Sequence, residues 1–445
     1  MNQPAVAFPR APHPSQASGR SPRAGRVASH FESGGSAGTT GPARSWSGRL
    51  LIALMACLAV ASGLPGCTDS PRIPDDLEAF YAELQDSARA FPQTGGAWAQ
   101  HYGDAPFYGT AFTVRAGLRD VRADYLALAD ASAENARSIL RRAAKDPSYF
   151  LEDLEQVMMS ALGLIDYAAA RGEKAPPVEV EQIIDVINAF AVGLGRYVDL
   201  DAGQFAIKTY GPTAITAAVA LLNLQYATYF PGEIADERTV EARRIVETID
   251  RRAHAPGKGY RVRPGEELLE LYPNTMMMLV LCRLYERTGE VGYIEQAADV
   301  FEAIQPLKNR ARGGYNSPYS AAAMGAKTDD YSTLSSQNYL TLALALLYID
   351  TGDRRYFDEA IGVLRFVKDH LYDPAQRRVL HHFIDGRIAA PTDPEYFCTG
   401  CNFQLLYVVF YLKHHALGTL APGPAEPQGL NTRNRLKPSL GSTPT

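Results

Sequence analysis

From Asp76 to residue 417 the apolar positions recur with a helical period, and no strictly alternating run of more than four residues interrupts them. The pattern predicts helices over 76–91, 118–145, 148–171, 178–197, 212–230, 235–253, 273–288, 290–305, 331–351, 353–371 and 394–417. They fall into two kinds. One kind is apolar nearly all round: residues 213–222, 276–281, 340–348 and 405–412 offer no polar face, as a helix buried on every side requires. The other carries a single apolar stripe, such as Ile183, Ile184, Ile187, Phe190, Ala191 and Leu194, or Phe357, Ala360, Ile361, Leu364 and Val367. The two kinds alternate, which predicts an inner ring of helices wrapped by an outer ring. The expected fold class is all-α.

The repeat is visible in the letters themselves. Leu281, Leu284, Tyr285, Thr288 and Gly289 fall on Leu344, Leu347, Tyr348, Thr351 and Gly352 at one offset of 63, and Tyr293 and Ala297 follow onto Tyr356 and Ala360. Each copy reads as an apolar helix, a Thr-Gly stop and an amphipathic helix, which makes a helical hairpin. Gly172, Gly232, Gly289 and Gly352 mark these stops at spacings of 60, 57 and 63. Tetratricopeptide and ankyrin repeats, with a period near ~34, are excluded. Pro147, Pro212, Pro273 and Pro394 stand at predicted first helical positions, where a missing N–H costs nothing. Asp146 and Asp393 precede two of them as N-caps.

A ring of hairpins of this length, apolar within and amphipathic without, resembles the (α/α)6 toroid of the six-hairpin glycosidase superfamily. That group includes unsaturated glucuronyl hydrolases, sugar epimerases of the N-acylglucosamine 2-epimerase type and many polysaccharide lyases. The resemblance spans residues 76–417 and is architectural, without the catalytic signature of any one member. The predicted helices number eleven, one short of six pairs. The resemblance implies a carbohydrate-active domain over 76–418 that cleaves or epimerises a glycan.

Connections between hairpins are long (92–117, 198–211, 254–272, 306–330 and 372–393), whereas turns within hairpins are short. In a ring, the long loops share the rim above the inner-helix N-termini, and long loops on a rigid scaffold are where function concentrates. Tyr210, Glu266, Glu267, Glu270, Tyr272, Asn274, Asp329, Asp330, Tyr331, Gln337, Asn338, His381, His382, Glu395 and Tyr396 converge there. Carboxylates can serve as general acid and base, aromatic faces stack on sugar rings, and amides pair with hydroxyls. Asp330 and Glu395 are the expected acid/base pair, supported by His382 and Tyr272, with Glu270, Asn274, Tyr331, Asn338, His381 and Tyr210 as substrate contacts. Each acid has a competing role, because Asp329, Asp330 and Glu395 also stand where caps and first-turn acids belong. Lys208, Lys258, Arg261, Arg263, Arg310, Arg312, Lys327, Arg377 and Arg378 in the same loops would suit a uronate, or simply a solvated surface. A helical-repeat protein that binds a glycan or a partner protein without turnover is the competing class.

Charge and the N-terminus add an address. Residues 1–49 carry six arginines and one glutamate, leaving 38 basic and 48 acidic residues in the remainder, a balance that argues against nucleic acid as a partner. Residues 1–46, rich in Pro, Ser, Gly, Ala and Arg, read as a disordered basic leader. Arg49 and the apolar run 50–63 follow, of signal-peptide length and within a segment spanning 47–66. Its close, Leu64-Pro65-Gly66-Cys67, resembles the lipobox of bacterial lipoprotein signals. That resemblance implies a lipid on Cys67, such as palmitate, and an exported, membrane-anchored protein of the cell envelope, facing the periplasm or the cell surface. An ordinary cleaved signal or an N-terminal anchor is the alternative. Residues 67–75 read as a tether and 419–445 as a disordered, proline-rich tail.

Among the remaining cysteines, Cys282 lies within an apolar helix and reads as inert core. Cys398-Thr399-Gly400-Cys401 places two cysteines one helical turn apart, with Cα atoms about 5 Å from each other, and outside the cytoplasm they are expected as a disulfide. A mixed metal site completed by Glu395, His381 or His382, and a redox pair, are the alternatives. No cofactor is called for by the sequence.

Overall fold

The computed structural model describes residues 71–88, 91, 93–94, 97–98, 123–146, 154–188, 211–318, 330–384, 387–388 and 398–413, all within the unit Asp69–Thr445. The leader, the apolar run with Cys67, and the tail beyond 413 lie outside the described residues. Eleven α-helices stand among the described residues: α1 (Asp75–Ser87), α2 (Ala123–Lys145), α3 (Leu154–Ala170), α4 (Val178–Asn188), α5 (Gly211–Tyr229), α6 (Glu233–Ala253), α7 (Leu271–Thr288), α8 (Val291–Ala303), α9 (Leu334–Thr351), α10 (Arg354–His370) and α11 (Thr399–Tyr411). Short strands lie in the connections between them: β1 (Gln93–Thr94), β2 (Ala97–Trp98), β3 (His254–Ala255), β4 (Gly259–Tyr260), β5 (Tyr331–Thr333), β6 (Tyr372–Asp373), β7 (Arg378–Val379), β8 (His382–Ile384) and β9 (Arg387–Ile388). Of the helices, none is long and apolar enough to cross a membrane.

The two kinds of helix sort as their patterns require. Every residue of α9 from Leu334 to Leu347 is buried, and so is all of α11. By contrast α10 buries one stripe (Tyr356, Phe357, Ala360, Ile361, Val363, Leu364, Phe366, Val367) and leaves the rest to solvent. The inner helices α3, α5, α7, α9 and α11 pack side by side in that order, each with an amphipathic neighbour on its outside. Helix α1 packs against α10 and α11 and so brings the start of the unit to its last hairpin. Exposed pairs Lys368–Asp76 (3.3 Å), Lys413–Glu78 (3.2 Å) and Arg377–Glu83 (3.5 Å) line that seam. The fold is the all-α toroid of helical hairpins.

The Thr-Gly stops act through backbone conformation. Gly289 and Gly352 both sit in the left-handed region at φ 73°, and each donates its N–H to the carbonyl four residues back, on Tyr285 and Tyr348. A side chain is strained there, so glycine ends the helix and lets the chain reverse into the outer helix.

Two predicted starts move. The helix expected from 331 begins at Leu334, because Tyr331–Thr333 is drawn into a short strand, β5, and Thr333 is the cap, its Oγ1 accepting from Ser336 N. Asp330 therefore does not cap α9. The helix expected from 394 begins at Thr399 with Cys398 as its N-cap, while residues 394–397 lie outside the described residues.

Candidate functional site

At the rim above the inner-helix N-termini, three successive loops are held in one way. The sequence first places a glycine-aromatic or short strand in each loop and an amide in the first turns of the helix that follows. Asn274 of α7 accepts from Tyr260 N (2.7 Å) and donates to Tyr260 O (2.9 Å) and Glu270 O (2.7 Å). Gln337 of α9 accepts from Tyr315 N (3.1 Å) and donates to Tyr315 O (2.8 Å). Asn402 of α11 accepts from Val379 N (2.9 Å) and donates to Val379 O (2.8 Å) and Cys398 O (3.0 Å). Each buried side chain imitates a strand neighbour, satisfying backbone groups that a buried loop would otherwise strand. Gly259 is needed beside the first amide: a Cβ there would lie 2.4 Å from Asn274 Oδ1.

This clamp assigns several of the expected substrate contacts. Asn274 is fully buried and its side chain bonds to the backbone of Tyr260 and Glu270, so it holds the loop. Glu270, also fully buried, is the N-cap residue of α7 and makes no side-chain cap bond. Tyr272 is buried, its ring edge-on to Tyr339 with centroids 5.3 Å apart. Asp330 receives hydrogen bonds from Asn309 Nδ2 (2.8 Å) and Arg312, an ion pair that ties loop 309–312 to the start of β5. Glu395 and Tyr210, the other members of the expected set, lie outside the described residues.

The histidines are placed by a strand pairing. β5 (Tyr331–Thr333) runs antiparallel to β8 (His382–Ile384), with Tyr331 opposite Ile384 and Thr333 opposite His382. Tyr331 and His382 are thus diagonal neighbours on one face of the ribbon, within reach of each other. The Tyr331 hydroxyl lies 2.7 Å from His382 Nδ1, with both residues buried. His381 stands edge-on to His382, ring centroids 4.2 Å apart, its Nδ1 3.1 Å from His382 Nδ1 and 3.0 Å from Nε2. The His381 carbonyl accepts the Leu334 N–H at 2.8 Å, fixing this pair to the first residue of α9.

The cysteines complete the group. Cys398 and Cys401 are not joined as a disulfide; Cys398 Sγ instead accepts the Cys401 N–H at 3.1 Å as the cap of α11. One ligand atom from each of His381, Cys398 and Cys401 lies within 4.8 Å of the others. Asn338 of α9 donates to Cys401 O (2.8 Å) and Gln404 Oε1 (3.3 Å), while Asn338 Oδ1, Gln404 Nε2 and Thr399 Oγ1 are buried without a hydrogen-bond partner among the described residues. Sequence reasoning named Asn338 and missed Gln404 and Thr399. Their signal was a polar residue inside a wholly buried helix, which has to be explained by a partner or a ligand. Arg378 of the same loop has its basicity lowered by burial.

No family model matches the chain, and no curated protein matches it in sequence. Solved structures do match in shape. A D-mannose isomerase superposes with a TM-score of 0.57 at 14% identity, covering 79% of this chain and all of that one. A cellobiose 2-epimerase from Spirochaeta thermophila gives 0.53 at 13%, covering 76% and 99%, and a family 76 α-mannanase from Bacteroides thetaiotaomicron 0.51 at 14%, covering 77% and 96%. At these identities the likeness is one of fold.

Proposed function

We propose that this chain is a carbohydrate-active enzyme that moves a proton on a sugar, as an isomerase or epimerase does, at the rim of its toroid. The observation that carries this reading is the Tyr331–His382 pair: a buried imidazole, oriented by a phenol at 2.7 Å, on the rim where the long loops meet. Imidazole changes protonation near neutrality and can take a proton from a carbon beside a carbonyl and return it. Tyr331 fixes the ring, and the unpartnered amide atoms of Asn338 and Gln404 offer one acceptor and one donor to sugar hydroxyls. Hydrolysis by two carboxylates is less well supported, since Asp330 is engaged by Arg312 and Asn309. The D-mannose isomerase and the cellobiose 2-epimerase that share this fold carry activities of the same kind, which supports the reading.

The test is incubation of the full chain in deuterated buffer with neutral and uronate mono- and oligosaccharides. Deuterium entering the sugar at a carbon beside the carbonyl is the expected result, and His382→Gln should lower that rate by roughly 10²–10⁴-fold. Release of new reducing ends with no exchange would favour hydrolysis, and binding without either would favour the glycan-binding protein. The lipobox-like segment supports placing the domain at a membrane through lipid on Cys67. Labelled palmitate incorporation that is lost in Cys67→Ser, with release of the protein into the soluble fraction, is the outcome that reading requires.

A further inference from the structure

The start of α11 carries more chemistry than its cap needs. Cys398 and Cys401 stand four and one residues before the clamping Asn402, as Thr333 and Ser336 stand before Gln337 in α9. The cap bonds correspond: Ser336 N–H to Thr333 Oγ1 at 3.3 Å, Cys401 N–H to Cys398 Sγ at 3.1 Å. Hydroxyls are preferred N-caps, whereas sulfur is a weak acceptor, so capping explains the geometry without explaining two cysteines. What thiols add is soft ligation or a disulfide, and the structure holds no disulfide there.

The third group comes from a different element. His381, immediately before β8, brings its imidazole to the two sulfurs, so that three ligand atoms lie within 4.8 Å of one another. Both cysteines are buried, at 4% and 7% exposure. A tetrahedral Zn²⁺ with Zn–S near 2.3 Å and Zn–N near 2.0 Å separates its ligand atoms by about 3.5–3.8 Å, so small side-chain movements would close the group around an ion. Two cysteines at C-x2-C spacing with one imidazole are a donor set suited to zinc rather than to hard cations. A surrounding shell is also present. His381 contacts His382, which is held by the Tyr331 hydroxyl, and the Cys401 carbonyl is fixed by Asn338. Such outer contacts orient metal ligands.

We propose that His381, Cys398 and Cys401 bind one Zn²⁺ through an imidazole nitrogen and two thiolates, with a fourth position open to water or a substrate oxygen. The two thiol protons pass to solvent on binding, and no redox change is involved. This inference stands apart from the proposed sugar chemistry, because it concerns metal content and not turnover.

The experiment is zinc titration and metal analysis of the full chain, purified under reducing conditions, beside Cys398→Ser, Cys401→Ser and His381→Ala. Serine at 398 supplies a capping hydroxyl in place of the sulfur, and at 401 it leaves the capped backbone N–H untouched, so both cysteine variants should retain the fold, which circular dichroism checks. One equivalent of zinc in the parent, weakened in every variant by more than the roughly 100-fold that outer-shell changes cost, is expected. Co²⁺ substitution should add a thiolate-to-cobalt charge-transfer band that both cysteine variants lose. Zinc uptake no greater than in Cys398→Ser, zinc retained in His381→Ala, or a Cys398–Cys401 disulfide found by mass spectrometry in protein purified without reductant and inert to zinc would each overturn the proposal.

Discussion

Helices α9 and α11 enter the ring through the same frame and then part company. In both, a capping residue is followed four positions later by an amide that grips the preceding loop. In α9 the frame is built from Thr333, Ser336 and Gln337; in α11 it is built from Cys398, Cys401 and Asn402, with His381 alongside. The difference separates mechanics from chemistry at one rim. What recurs, the clamp and the cap, holds loops in place. What does not recur, the two sulfurs and the paired histidines, is where a reaction or a ligand has to be sought.

The clamps are expected to be the most sensitive part of this frame. Asn402→Ala strands the buried Val379 N–H and carbonyl and removes one of the two hydrogen bonds that the Cys398 carbonyl accepts, a loss of about 3 kcal/mol. Gln337→Ala strands only the Tyr315 N–H, because Ser332 Oγ also donates to the Tyr315 carbonyl (2.8 Å), and should cost less, about 2 kcal/mol. Denaturant midpoints of the two variants measure the order, and equal costs would mean that the third bond in α11 contributes nothing. A comparable loss, about 2–3 kcal/mol, is expected for Gly259→Ala, where φ is +70° and the new Cβ meets Asn274 Oδ1. Combining it with Asn274→Ala removes that clash, so the double variant should be less destabilised than the sum of the singles. Additivity would show that strain at φ, and not the amide, sets the cost.

The caps give smaller effects and sharpen the contrast. Thr333→Ala should cost about 1 kcal/mol. Cys398→Ser, in protein stripped of metal by chelation, should be neutral or slightly stabilising, since a hydroxyl replaces a weaker acceptor. With zinc in excess the order reverses, because only the parent gains the stabilisation that a ligand bound to the folded state confers. Thermal melts with and without zinc read both halves, and a zinc-independent difference would reduce α11 to another capped helix.

Hydrophobic pattern made the ring legible, and the reason is physical. A helix buried on all sides cannot hide its composition, and Gly289 and Gly352 declare the reversals through a conformation that side chains resist. The site was only partly legible. His381, His382 and Tyr331 were named from the residues, and the structure brings them together. The carboxylates were the least legible, because an acid near a helix start looks the same in sequence whether it caps, catalyses or, as Asp330 does, pairs with an arginine one loop away. Asn274 misled for a related reason: a rim amide that clamps its own backbone has the composition of one that binds hydroxyls. The meeting of His381 with Cys398 and Cys401 depends on the β5–β8 pairing, which no local period announces.

An effect no larger than that of a cap is expected at the loop anchors, and it returns to the comparison of hairpins. The residue gripped by each clamp is Tyr260 before α7, Tyr315 before α9 and Val379 before α11. The two phenols reach on to acids, Asp250 at 2.6 Å and Glu359 at 2.8 Å, an outward tie that Val379 cannot make. Burial, and then the Glu359 carboxylate, push the Tyr315 hydroxyl well above its ordinary value of 10.0. A phenol whose ionisation is raised by folding contributes stability that is fully present below that ordinary value and is lost as pH climbs past it. Tyr315→Phe should therefore cost about 1 kcal/mol at neutral pH, through the lost hydrogen bond, and should decline less steeply than the parent between about pH 8 and 11. Denaturant midpoints across that range test the sign. A variant that falls as steeply as the parent would show that Tyr315 ionises no differently in the folded and unfolded chain, and that its phenol adds no outward tie to the one the Gln337 amide makes.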